Sequence, residues 1–148
     1  PKLSKGPDRL VKIFESLNKK NKNFHILLTG KRRDYLINEL NKRNIPYEYF
    51  EMISFEQLNE LYNCLDLYIV ASRVEGGPQA ILECGITRTP VISTDVGIAS
   101  KILDKSSIFN MKNFTDAKPS EDYTYKNSMK YIIPKWFEKF ESLFESIK

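Results

Sequence analysis

Three short, nearly unbroken apolar runs constrain this chain more than any other feature: residues 24–29 (FHILLT), 67–71 (LYIVA) and 91–94 (VIST). A strand wetted on one side alternates apolar and polar residues. A run without that alternation is buried on both faces, as strands of a parallel sheet are. Between the runs lie helices. Gly6-Pro7 opens the first, with Asp8 at its positive end and Leu10, Val11, Ile13, Phe14 and Leu17 forming an apolar face. Residues 34–43 read as the second. Ser54 and Gln57 form a capping box that starts a third over residues 55–64. A fourth, over residues 78–86, carries Pro78 in its first turn. Residues 47–53, aromatic and β-branched, read as a further strand. The alternation runs from Gly6 to about Leu103 and predicts an α/β fold, a Rossmann-like doubly wound parallel sheet. Beyond it, residues 112–125 are polar, with one short apolar piece at residues 108–109. After Pro134, the residues Trp136, Phe137, Phe140, Leu143, Phe144 and Ile147 make the stripe of an amphipathic C-terminal helix. The expected organisation is one domain over residues 1–133, followed by a helix over 134–148.

At 148 residues the chain has the size of a single domain with a real core. No apolar run reaches the roughly 18–20 residues of a membrane span. The first apolar cluster, interleaved with Lys, Asp and Glu, is no export signal, so a cytoplasmic protein is expected. Cys64 and Cys84 then read as reduced core residues. One histidine and two cysteines cannot build a standard zinc site, so no metal is expected. His25, opening a strand, reads as structural. Lys and Arg exceed Asp and Glu by 23 to 19, concentrated in residues 19–22, 31–33 and 42–43. Finger and aromatic RNA-binding motifs are lacking, so the charge does not point to nucleic acid. A solvated face is the plain reading of residues 19–22. Lys31, Arg32 and Arg33 follow a strand end and could reach a phosphate, though a solvated run is the plainer reading there too.

In an open α/β sheet ligands bind at the carboxyl ends of the strands. The most informative such stretch is Ser72-Arg-Val-Glu75-Gly76-Gly77-Pro78-Gln79-Ala-Ile-Leu-Glu83. Two glycines let a backbone approach a ligand closely, and Pro78 sets the first helical turn. The free N–H groups that follow make an anion site suited to a diphosphate. Glu75 and Glu83 stand at most about 12 Å apart along a helix, too far for a glycosidase-type acid/base pair. They can instead grip separate hydroxyls of one elongated ligand.

The run of residues 67–103 resembles the C-terminal domain of the GT-B-fold retaining glycosyltransferases of family 4, the glycosyl group 1 family. Their pattern is P-S-x-x-E-G-F-G-x-x-x-x-E-A-M-A-x-G-x-P-V-I-x-x-x-x-G-G. The chain reads A-S-R-V-E-G-G-P-Q-A-I-L-E-C-G-I-T-R-T-P-V-I-S-T-D-V-G-I. Upstream, Lys5-Gly6 resembles the family's K-G, and residues 54–61 its helix after the nucleotide loop. About two-thirds of the chain is covered, in the right order. Glu-x7-Glu alone is weak, since Glu48 and Glu56 share the spacing; the whole string is specific.

The resemblance implies hexosyl transfer from a nucleoside-diphosphate sugar (UDP or GDP), without a metal, to a glycan or lipid-linked acceptor. Glu75 would bind donor-sugar hydroxyls and Lys5 would neutralise the leaving diphosphate, the two being the catalytic candidates. Glu83 would bind the ribose. The amides of Gly76, Gly77, Pro78 and Gln79, of which proline supplies only its ring, would face sugar and diphosphate. Met52, Ile53 and Ser54 would cradle the base. The family's first strand, its arginine-bearing loop and its N-terminal acceptor domain have no counterpart ahead of Pro1. The sheet is therefore expected to lack a central strand, with the C-terminal helix packing on this domain or on the missing one. Cys84-Gly85-Ile86 stands where the family has Ala-Met-Ala, and Ile98 replaces the second closing glycine, which would narrow that loop. Two other readings stand beside this one. The first is another GT-B-like sugar-nucleotide enzyme such as an epimerase. The second is a non-catalytic module docking through its basic face and aromatic helix, with peripheral contact at the inner face of a membrane.

Overall fold

Helices separate parallel strands throughout the computed structural model, which describes residues 2–20, 23–133 and 135–146. In chain order the elements are α1 (Pro7–Lys20), β1 (Ile26–Thr29), α2 (Asp34–Lys42), β2 (Tyr47–Phe50), α3 (Phe55–Cys64), β3 (Tyr68–Val70), α4 (Gln79–Thr87), β4 (Val91–Thr94), α5 (Ala99–Ile102), β5 (Ile108–Phe109), α6 (Glu121–Ser128) and α7 (Lys135–Glu145). The capping box forms as read, Ser54 Oγ accepting the Gln57 N–H and Gln57 Oε1 accepting the Ser54 N–H. Pro78 is a correction of one position. Its backbone is extended (ψ 104), so it caps α4 instead of occupying its first turn.

The doubly wound burial is visible residue by residue. Val70 and Val91 enter one core with Tyr62, Ile81, Cys84 and Ile102, while Ala71 and Ile92 enter another with Ile13 and Phe109. Neighbouring residues of one strand thus go to opposite faces, and both faces are covered.

Strand pairing, parallel everywhere, breaks at one place among the described residues: β1 pairs with β2, and β3, β4 and β5 form a second sheet. Ile26 and Gly30 aim their N–H groups at β2, so Leu27 and Thr29 face the other way. There the Thr29 carbonyl accepts a hydrogen bond from Arg33 Nε at 2.7 Å. Tyr68 donates to Pro90 beside β4, which leaves Ile69 and Ala71 on the open side of β3. Helix α1 spans the break: Leu10 and Leu17 pack on the core under β1 and β2 and also on the core under β3 and β4. No pairing joins β1 to β3 among the described residues, which is where the expected missing strand would belong.

Two features depart from expectation. Helix α6 forms where no element was legible, because its buried residues are Thr124, Asn127 and Ser128 and no apolar stripe announces it. Cys64 is exposed at the last position of α3, whereas Cys84 is fully buried. Helix α7 is amphipathic as read, and Phe137, Phe140, Leu143 and Phe144 on it are exposed. Pro134, Ile147 and the side chain of Trp136 lie outside the described residues. No described helix is long and apolar enough to cross a membrane.

Candidate functional site

The site begins with a glycine. Gly6 is left-handed (φ 63), and a Cβ there would overlap the Ala71 carbonyl oxygen on the open side of β3. Only glycine allows so close an approach. The turn Leu3–Lys5 therefore lies along the extension of β3, where the Arg73 N–H donates to the Ser4 carbonyl at 2.7 Å. Arg73 also donates from both terminal nitrogens to Asp8 at 2.7 Å, tying the start of α1 to the same loop. That pair holds the Asp8 carboxyl down at about 2, chiefly through its hydrogen bond to Arg73. Arg9 and Thr94 both donate to the Ser72 carbonyl.

This framework brings together two predicted residues seventy positions apart. Lys5 Nζ donates to both oxygens of Glu75 at 2.6 Å. Ser72 Oγ donates to Glu75 Oε1 at 2.7 Å. The lysine side chain is 55% exposed and the glutamate 13%. Burial pushes the Glu75 carboxyl up, but the hydrogen bonds of Lys5 and Ser72 outweigh it and hold it below the usual carboxylate range. The outcome is an ionised carboxylate in a nearly enclosed position, facing an ammonium that water can still reach.

Beyond Glu75 the turn is open. A Cβ at Gly76 or Gly77 would meet nothing within 4 Å. The first α4 amide engaged outside the helix ladder is that of Ile81, donating to Pro78. The N–H groups of Gln79 and Ala80 have no partner among the described residues, the arrangement that suits an anion. Gly97 (φ 57) supports the turn from behind, where a Cβ would stand 2.7 Å from the Gly76 carbonyl oxygen and 2.9 Å from Pro78 Cδ. Ile98, expected to narrow this loop, is half-buried against the α4 core.

Glu83, one turn into α4, is held differently. Tyr62 Oη donates to its Oε2 at 2.6 Å, while Oε1 takes no hydrogen bond among the described residues. Burial first, then neighbouring Tyr68 and the bond to Glu83, push the Tyr62 hydroxyl far above its ordinary value, so it donates at any physiological pH. Met52 and Ile53 lie between β2 and α3, with Met52 exposed, and the Ser54 hydroxyl is committed to its cap. No hydrogen bond or ion pair among the described residues joins these three to Glu75 or Glu83. Ser72 and Tyr62 were missed in the sequence. Ser72 had a signal, the serine before x-x-E in the family pattern. Tyr62 directly follows the matched residues 54–61, but only the packing of α3 on α4 brings it to Glu83. No group of three or more His, Cys, Asp or Glu is placed to hold a metal among the described residues.

A Rossmann-like parallel domain with an open glycine turn between two acids on its carboxyl rim is the architecture of the C-terminal half of a GT-B glycosyltransferase. The chain belongs to the family of glycosyl transferases group 1, whose model matches residues 2–119. It is 24% identical over 138 residues to the O-antigen biosynthesis glycosyltransferase WclY of Escherichia coli, covering 92% of this chain and 39% of that protein. Its fold is similar to that of the pneumococcal O-GlcNAc transferase GtfA, solved with UDP and GlcNAc. There the TM-score is 0.77 at 19% identity, over 97% of this chain and 33% of that one. It is also similar to the catalytic domain of cholesterol-alpha-glucosyltransferase from Helicobacter pylori. That match has a TM-score of 0.68 at 20% identity, over 87% of this chain and 92% of that one. The chain thus spans about two-fifths of the curated relative.

Proposed function

We propose that this chain is the donor-binding half of a retaining glycosyltransferase that moves a hexosyl group from a UDP- or GDP-sugar to a glycan or lipid-linked acceptor. The observation that carries the reading is the Lys5–Glu75–Ser72 cluster at the mouth of the open Gly76-Gly77 turn. A donor laid across it would exchange partners. Glu75 would turn from Lys5 to sugar hydroxyls, and Lys5 would face the diphosphate together with the amides of Gly76, Gly77, Gln79 and Ala80. Cation and amides then stabilise charge developing on the leaving diphosphate, with no metal required. Glu83 would offer Oε1 to the ribose while Tyr62 keeps Oε2. The main chain at Met52, Ile53 and Ser54 would receive the base.

The rest of the activity would belong to a longer molecule, since the chain spans about two-fifths of the curated relative it matches. The acceptor would sit on an N-terminal domain, against which the exposed face of α7 would pack, at the cytoplasmic side of a membrane for a lipid-linked acceptor. Titration calorimetry of the 148-residue chain with UDP and GDP tests the reading. One of the two should bind weakly, unaffected by EDTA and without sugar transfer by the chain alone. A folded sample that takes up neither nucleotide contradicts it.

A further inference from the structure

The start of the chain, the start of α1 and the loop from β1 into α2 border an open cavity of about 400 Å³ lined by nine residues. Five are cations: Lys2, Lys5, Lys31, Arg32 and Arg33. Only Lys5 belongs to the donor cluster described above; none of Glu75, Gly76, Gly77, Pro78, Gln79 or Glu83 lines it. The floor is apolar, made by Pro7, Leu10 and Leu36, with Tyr35 beside them.

The backbone is bent to build this wall. Three successive side chains of an extended segment point to alternating sides, yet Lys31, Arg32 and Arg33 all line one cavity. They do so because Gly30 (φ 83) and Arg32 (φ 65) both turn into the left-handed region. Arginine reaches that region at a cost, and such strain persists where the surroundings impose it. The charge is poorly compensated. Glu75 neutralises Lys5, and Asp34 at the start of α2 is the nearest acid in sequence to the loop. Arg33 spends its Nε on the neutral Thr29 carbonyl and makes no ion pair among the described residues. The side chains of Lys2, Lys31 and Arg32 have neither hydrogen bond nor ion pair among the described residues. Gathering like charges around one concavity is unfavourable unless an anion occupies it.

We infer that this cavity is a second anion site, separate from the donor's diphosphate, which takes the phosphate or diphosphate group of an ester whose organic part is aliphatic. Guanidinium and ammonium groups meet the phosphate oxygens, and Pro7, Leu10 and Leu36 meet the first carbons of the ester. Lys5, shared by both sites, couples them, so an anion here sits beside the proposed leaving group. A membrane lipid headgroup and a soluble phosphate ester present the same chemistry.

The test titrates the chain with inorganic pyrophosphate, alone and after saturation with UDP. A parallel arm uses co-sedimentation with phosphatidylcholine vesicles, with and without phosphatidic acid. The double variant Lys31→Gln with Arg32→Asn changes only exposed side chains, and asparagine tolerates the left-handed backbone of position 32. Pyrophosphate should bind the UDP-saturated chain, about tenfold or more weakly in the double variant, while UDP affinity stays within about twofold. Loss of vesicle binding in the same variant identifies a lipid source, and pyrophosphate binding without vesicle binding identifies a soluble ester; either supports the site. Failure of pyrophosphate to bind once UDP is present, or equal binding by the variant, overturns it. Should UDP not bind at all, pyrophosphate binding and its loss in the variant still decide the matter independently of the donor reading.

Discussion

Tyr62 leaves Glu83 one carboxylate oxygen to spend on a ligand, and this shapes what a substitution there can reveal. Glu83→Ala strands a buried tyrosine hydroxyl, a loss worth about 1–3 kcal/mol of stability before any ligand is considered. Glu83→Gln keeps an acceptor for Tyr62 and removes the charge. The glutamine variant should therefore unfold close to the wild-type temperature while the alanine variant unfolds several degrees lower. Both should bind nucleotide more weakly, read by thermal denaturation and calorimetry side by side. Equal stability of the two variants would show that the tyrosine bond is dispensable. At this scale Glu75 and Lys5 were legible from the family string, and their direct pairing was not, because seventy residues of chain separate them.

At the scale of elements, Gly85 decides how α4 meets α6. A Cβ there would stand 2.7 Å from Ser128 Cβ and would overlap Ser128 Oγ. Family members carry methionine in this place by the string quoted above, and here its absence lets α6 close in. Gly85→Ala should destabilise the fold by about 1–3 kcal/mol in spite of alanine's better helix propensity. Ser128 Oγ is buried without a partner among the described residues, so Ser128→Ala should be neutral or stabilising by up to about 1 kcal/mol. Urea denaturation of both variants checks the pair of expectations, and a stabilised Gly85→Ala would contradict the close packing. Helices α1 to α4 showed in the sequence because each carries an apolar stripe, a cap or a proline. Helix α6 carries none of these: its core face is threonine, asparagine and serine, which read as a loop until a glycine on the facing helix is known to receive them.

Over the whole molecule, the two sheets are held together by α1 and by the loop after β3, and the Asp8–Arg73 pair clamps one to the other. Asp8 titrates near 2 when folded against an ordinary 3.8. A carboxyl depressed by folding contributes stability above its unfolded value and loses it as the pH falls through the folded one. Glu75, Glu39 and Asp104 shift in the same direction. The melting temperature should hold from neutrality to about pH 5 and then fall steeply towards pH 2. In Asp8→Asn it should start lower and fall less steeply. A flat profile in the unmodified chain would show that these pairs do not hold the sheets together.

Sequence alone determined the layering, because short unbroken apolar runs set between helical stripes read as strands covered on both faces, and it marked the acid–glycine turn because local strings carry local chemistry. What tertiary structure decided was every long-range partnership: Lys5 on Glu75, Tyr62 on Glu83, α6 on α4, and five cations around one cavity. The reason is physical. Periodicity records which face of an element is buried, but not which distant residue meets it, and a polar contact leaves no period at all.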